Sequence, residues 1–143
     1  KQLAHKNIAY LTESITILPF FNLVNVRNTG AAWSMFSEAP PWSFALLASV
    51  VSIGIVVWMF MNPTGQRLLA TALALVAGGA LGNGIDRLSR GYVVDFLDFH
   101  WAGHHFPAFN VADMAISLAV GLMLLDMVLQ ARAQKKQQQQ DKA

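Results

Sequence analysis

Three long stretches of the chain are nearly free of charge, and the segments between them differ in character. Residues 42–61 hold no charged side chain and have about the twenty residues needed to cross a hydrocarbon core, so they predict a transmembrane helix. Residues 68–85 are apolar but rich in alanine and glycine. There Gly78 and Gly82 stand in a G-x-x-x-G spacing, which predicts close helix packing rather than a lipid-facing surface. Residues 111–129 form the third stretch, with Asp113 near its start and Asp126 near its end, where a carboxylate can snorkel toward headgroups.

The connections complete the pattern. Asn62-Pro63-Thr64-Gly65-Gln66-Arg67 carries two strong helix breakers and predicts a tight turn over residues 62–67. Residues 86–110 read as a long loop dense in polar and aromatic side chains. Within residues 1–41, Ile15-Thr16-Ile17-Leu18 and Phe20-Phe21-Asn22-Leu23-Val24-Asn25-Val26 are short, β-branched and aromatic. Val24 and Val26 alternate with Asn25 and Arg27, as in a strand with one wet face, and Gly30 invites a turn. These runs predict a small sheet lying on the membrane and able to hold an extended peptide. Residues 1–16 are too polar to be a cleavable signal peptide. The tail, residues 130–143, contains Gln137-Gln138-Gln139-Gln140 and reads as low-complexity and disordered. The expected fold is therefore mainly α, an integral membrane helical bundle with three transmembrane helices and a small extracytoplasmic β-sheet.

Charge orients this layout by density. Arg67, Arg132, Lys135, Lys136 and Lys142 on one side equal in number Lys1, Lys6, Arg27, Arg87 and Arg90 on the other. The first set is packed into a short turn and a tail, which assigns residues 62–67 and 130–143 to the cytoplasm and residues 1–41 and 86–110 to the outside. Composition agrees: of 143 residues 55% are hydrophobic and 13% charged, against about 25% charged in an ordinary soluble domain. The absence of cysteine excludes disulfides, thiolate metal sites and cysteine nucleophiles. The net charge of +2, with no basic stripe interleaved with aromatics, argues against a nucleic-acid partner.

Two acids stand out chemically. Asp95 sits at a loop-to-helix boundary and Asp113 at a helix start, both beside segments apolar enough to enter a bilayer. An ionised side chain at membrane depth costs about 2.5–3.5 kcal/mol, so such residues point to function. The bland alternatives are a helix N-terminal charge for Asp113 and an ordinary loop acid for Asp95. Asn110 lies three residues before Asp113, placed to orient its carboxylate or simply to cap the helix. Asn83 and Arg87, and likewise Asp86 and Arg90, share a helix face, where the alternative to function is a surface ion pair of little worth. Asn28 with Gly30 reads as a substrate contact or as an N-x-G turn. His100, His104 and His105 lack an H-E-x-x-H spacing and lie beside Trp101, as interfacial residues do, so neither a metal nor another cofactor is expected. Ser34, Ser89 and Ser117 lack a nucleophile elbow. Trp33, Phe36 and Trp42 are expected interface anchors.

Three blocks carry a resemblance. Asn28-Thr29-Gly30-Ala31-Ala32-Trp33-Ser34, then Gly79-Ala80-Leu81-Gly82-Asn83-Gly84-Ile85-Asp86-Arg87, and then Val93-Val94-Asp95-Phe96 with Phe106-Pro107-Ala108-Phe109-Asn110-Val111-Ala112-Asp113 resemble, in order, the N-x-G-A-A-F/W-S, G-A-L-G-N-x-x-D-R and V-V-D-F…F-P-x-F-N-x-A-D blocks of the lipoprotein signal peptidase (signal peptidase II) family. The resemblance covers about residues 1–129. It implies an aspartic endopeptidase of the bacterial inner membrane that cleaves a prolipoprotein before its diacylglyceryl-modified cysteine, is sensitive to globomycin, and works beside membrane lipids, expected here as a monomer. It implies Asp95 and Asp113 as the catalytic pair, with Asn28, Gly30, Asn83, Arg87 and Asn110 binding substrate or shaping the site. Family members have four transmembrane helices where three are read here, and Lys1 stands where the lysine of the family's D-x-x-x-K motif would. The competing expectations are a shortened, inactive membrane protein that binds lipidated peptides, and an ion or proton pathway lined by the acids.

Overall fold

Apolar side chains with no partner inside the protein define the outer surface of the molecule, a computed structural model describing residues 1–10, 12–30, 38–62 and 66–141. Trp33, Phe36 and the end of the first matched block, the central breakers of the 62–67 turn, and Lys142 lie outside these residues. Among the described residues, three helices are long and apolar enough to cross a membrane. They are numbered here with a short leading helix: α1 (Gln2–Asn7), α2 (Pro41–Met61), α3 (Arg67–Arg90) and α4 (Val111–Gln140). Large side chains such as Leu46, Ile53, Phe60, Leu118 and Leu124 are exposed along the three long helices, as contact with lipid requires. Trp42 is exposed at the start of α2.

The helices meet through small residues. α3 packs against both α2 and α4, burying Ala72, Ala77, Gly79 and Gly84, while α2 contributes Ala45 and Ser52 and α4 contributes Ala119. The Ser52 hydroxyl donates to the Ala77 carbonyl at 3.2 Å, satisfying a polar group inside the bundle. The glycines that permit close approach are not the G-x-x-x-G pair. A Cβ on Gly78 would meet nothing within 4 Å and one on Gly82 only ordinary contact, whereas one on Gly79 would lie 2.7 Å from the Ala112 carbonyl oxygen and one on Gly84 3.3 Å from Ala48 Cβ. Gly79 and Gly84 face opposite neighbours, which is why spacing alone picked the wrong pair. Gly79→Ala is therefore expected to lower stability by about 1–3 kcal/mol by forcing α3 and α4 apart, measured by thermal unfolding in detergent. Gly78→Ala is the control, expected to cost nothing.

The strands are β1 (Ile15–Leu18), β2 (Phe21–Asn28), β3 (Val93–Trp101) and β4 (His104–His105), in an antiparallel sheet of order β1-β2-β3-β4. The fold class is that read from the sequence, three apolar helices and a small sheet, with two local corrections. Asp95 lies inside β3 rather than at a loop-to-helix boundary. Val93-Val94-Asp95-Phe96 is β-branched and aromatic enough to pair, and it finds its partner in β2 with Val26 opposite Asp95 and Asn28 opposite Val93. The tail read as disordered continues α4 to Gln140. Ala, Gln, Lys and Arg are good helix formers, no Gly or Pro interrupts them after Gly121, and the helix is already nucleated by the span. At about 1.5 Å per residue, α4 is longer than a hydrocarbon core of about 30 Å, so its end projects from the bundle.

The junction between sheet and bundle is tightly built. Gly91, at φ +80°, ends α3 in the left-handed conformation that glycine tolerates. β3 starts two residues later. Phe96 and Leu97 both donate backbone N–H groups to the Phe109 carbonyl, at 3.0 and 2.9 Å, a bulge that ties the start of α4 to the middle of β3.

Candidate active site

Asn110 is fully buried where β3 meets α4, and it joins the two acids. As the N-cap of α4 it forms a capping box: its Oδ1 accepts from the Ala112 N–H at 2.8 Å, and its own N–H donates to Asp113 Oδ2 at 3.0 Å. Its Nδ2 donates to Asp95 Oδ1 at 2.7 Å. The side chain expected to orient Asp113 thus orients Asp95, while its backbone holds Asp113. One side chain caps α4 and meets Asp95 at once.

Two more asparagines complete the arrangement. Asn28 Nδ2 donates to Asp95 Oδ2 at 3.1 Å, so each oxygen of Asp95 has an amide donor. Asn83 Nδ2 donates to Asp113 Oδ1 at 2.8 Å, and Asn83 Oδ1 accepts from Lys1 Nζ at 2.5 Å and Asn110 Nδ2 at 3.3 Å. The amide orientations follow from this network, because each Oδ1 accepts from a group that can only donate: the Ala112 N–H for Asn110, the Gly30 N–H for Asn28 and the Lys1 ammonium for Asn83. Gly30 donates its N–H to Asn28 Oδ1 at 3.0 Å, and its carbonyl accepts from Arg87 Nη2. Arg87 also lies over the Phe44 ring, 4.8 Å from its centroid. Asn28, Gly30 and Arg87 therefore act on one another and on Asp95. The structure brings together all seven residues singled out in the sequence.

Asp86 joins this network through Lys1. It is 4% exposed, hardly a surface acid, and it accepts from Arg90, from Lys1 Nζ at 3.0 Å and from the Val94 N–H at 3.2 Å. It so pins the residue before Asp95 to the end of α3. Its place in the D-R pair beside Arg87 was the available signal, but only the return of β3 past the helix end shows the burial. Lys1 bridges Asp86 and Asn83.

Asp95 is 3% exposed and lies outside the spanning helices. Burial pushes its carboxyl above the ordinary value, the bonds from Asn110 and Asn28 pull the other way, Asp113 adds a further push up, and Lys1 a pull down. Both acids line one cavity of about 760 Å³, walled by Phe106, Phe109, Met114 and Ile116. The arrangement offers two neighbouring carboxylates in unlike surroundings, one inside a sheet and one at a helix N-terminus, beside an apolar chamber. That is the requirement for acid–base work on a bond delivered from lipid. The histidines are elsewhere: His100 and His105 stack at 4.9 Å and His105 binds Asp98. Among the described residues no group of three or more His, Cys, Asp or Glu side chains converges as a metal site would.

Known proteins resemble this chain in sequence and in fold. The sequence pattern of the signal peptidase (SPase) II family matches residues 1–129. The lipoprotein signal peptidase of Shewanella loihica is 51% identical over 125 residues, which are 85% of this chain and 74% of that protein. The one from Pasteurella multocida is 52% identical over 119 residues, 81% of this chain and 72% of that protein. The structure of a bacterial membrane enzyme, determined by the in meso method at 2.3 Å, superposes with a TM-score of 0.81 at 30% identity, covering 91% of this chain and 79% of that one. With apolar helices, junction and matched blocks in agreement, this multi-pass membrane protein belongs to the signal peptidase II family.

Proposed function

We propose that the chain is an aspartic endopeptidase that removes the signal peptide from bacterial prolipoproteins, cutting before the diacylglyceryl-modified cysteine, with Asp95 and Asp113 as its catalytic pair. The observation that carries this reading is the single buried asparagine, Asn110, that bonds both carboxylates at the wall of an apolar cavity. Asp113 stands at the positive end of α4 and takes hydrogen bonds from the Asn110 N–H and Asn83, which suits a carboxylate. Asp95, pushed toward its protonated form by burial, suits the acid. Asp113 draws a proton from a water as that water attacks the scissile carbonyl. Asp95 gives its proton to the carbonyl oxygen, and as the C–N bond breaks the leaving amine takes the proton that Asp113 drew from the water while the tetrahedral intermediate returns one to Asp95, which restores the pair. Asn28, Asn83 and Asn110 hold the pair, Arg87 fixes Gly30 beside Asn28, and the apolar chamber accepts signal peptide and acyl chains. Both carboxylates come from one copy, so the monomer suffices. The density of basic residues around residues 62–67 and the end of α4 supports a site on the outer face of the inner membrane, with residues 1–41 and 86–110 on that side and residues 130–143 in the cytoplasm.

The test is to offer the purified chain, in detergent or lipid, a prolipoprotein with and without the diacylglyceryl group. The expected result is cleavage of the modified form only, blocked by globomycin and indifferent to chelators. Binding of the modified form without cleavage would favour a lipopeptide-binding protein instead.

The pH profile offers a finer check. Activity needs Asp95 protonated, so it falls as pH rises through a value above the ordinary carboxylate range. Asn28 donates to Asp95 and favours the ionised form. Asn28→Ala is therefore expected to move the alkaline limb of kcat/KM to higher pH as well as lowering its height. A shift to lower pH would contradict the assignment.

A further inference from the structure

We propose that a second cavity, behind the wall of the catalytic one, is a subsite for a basic side chain of the exported polypeptide shortly after the cleavage point; this rests on the peptidase reading above. The cavity measures about 520 Å³ and shares Phe106, Pro107 and Ala108 with the catalytic chamber, so that one short segment separates the two. Asn22 and Asp98 line it from directly opposed positions on β2 and β3, one residue out of step with the stacked Phe21 and Phe99, and so on the sheet's other face.

Its chemistry is that of acceptors. Asp98, 6% exposed, takes hydrogen bonds from Asn22 Nδ2 at 3.1 Å and from His105 Nδ1 at 2.8 Å. Asn25 Nδ2 donates to the Ile8 carbonyl at 2.9 Å. Those bonds fix both amides, and they leave the oxygens of Asn22 and Asn25, on side chains at least nine-tenths buried, without a partner among the described residues. Two unpaired acceptors, buried on residues that line one cavity, are costly and leave it short of donors. Glu13 adds a second carboxylate to the lining. A lysine or arginine side chain brings several N–H donors and the complementary charge, with its methylenes against Val24 and Val26. The apolar part of the signal peptide belongs to the lipid and its basic n-region to the cytoplasmic side, so the segment that can bring such a group here is the polar one after the modified cysteine. Because one short segment, Phe106 to Ala108, separates the two cavities, that group belongs within a few residues downstream.

The test uses two lipid-modified prolipoprotein peptides that differ only in lysine or glutamate three residues after the modified cysteine. The full chain is compared with Glu13→Gln, at an exposed position, and with Asp98→Asn. The readouts are KM and, by fluorescence anisotropy, equilibrium binding. Wild type is expected to favour the lysine peptide by about fivefold to tenfold, and this ratio is expected to fall toward one in both variants. Equal handling of the two peptides by wild type, or a ratio unchanged in Glu13→Gln, would overturn the subsite. If Asp98→Asn does not fold, Glu13→Gln decides. If no peptide is cut, the peptidase reading fails, while the binding ratio still decides the subsite.

Discussion

Asp95→Asn and Asp113→Asn are each expected to lower kcat by about a thousandfold or more while leaving KM within a few-fold of wild type, because each removes a proton-transferring group used in the transition state. The amide is nearly isosteric with the carboxyl, so the cavity keeps its shape. It cannot, however, act as base at position 113 or surrender a proton at position 95. Each variant is expected to lose about 1–3 kcal/mol of stability without unfolding, since both oxygens of each acid accept from N–H donors and the new amide NH2 faces one of them. Thermal unfolding alongside the kinetics separates this outcome from misfolding. Retention of more than about a tenth of wild-type kcat in either variant would remove that carboxylate from the chemistry.

The second large effect is expected at Asn110, where a single side chain serves stability and chemistry at once. Asn110→Ala loses the N-cap bond to Ala112, worth about 1 kcal/mol. It also loses the donor to Asp95 Oδ1 and leaves that buried acid short of a partner, which costs about another 1–3 kcal/mol. A lower unfolding temperature and a fall in kcat of about a hundredfold are expected together. Asn110→Ser divides the two roles. Serine can cap α4 but cannot span to Asp95, so stability recovers in large part while activity stays low. Recovery of both would show that Asn110 acts through the helix alone.

Much of this site is legible in the sequence because its parts are local. The three spans announce themselves by lacking charge, and Asn110 with Asp113 carries capping-box spacing on its face. What stayed hidden depends on contacts between segments far apart in the chain. Asp95 became a strand residue because residues 93–101 pair with residues 21–28, which no local pattern in a loop of mixed polarity reveals. Asn28 reads in the sequence as a substrate contact or as part of an N-x-G turn. Its bond to Asp95 appears only once that pairing sets its register. Gly79, not Gly78, meets α4 because the rotation of α3 is set by two neighbours at once. Asp98 and Asn22 carry no local signal, being 76 positions apart and adjacent only across the sheet.

The most direct measurement is mass spectrometry of the products formed from a lipid-modified prolipoprotein in ¹⁸O-labelled water. The account predicts two fragments, the downstream one beginning with the modified cysteine and the upstream one carrying a single label on its new carboxyl group, with no mass added to the protein at any time and no products from the Asp95→Asn, Asp113→Asn double variant. A signal peptide covalently held by the protein, or products from the double variant, would contradict it.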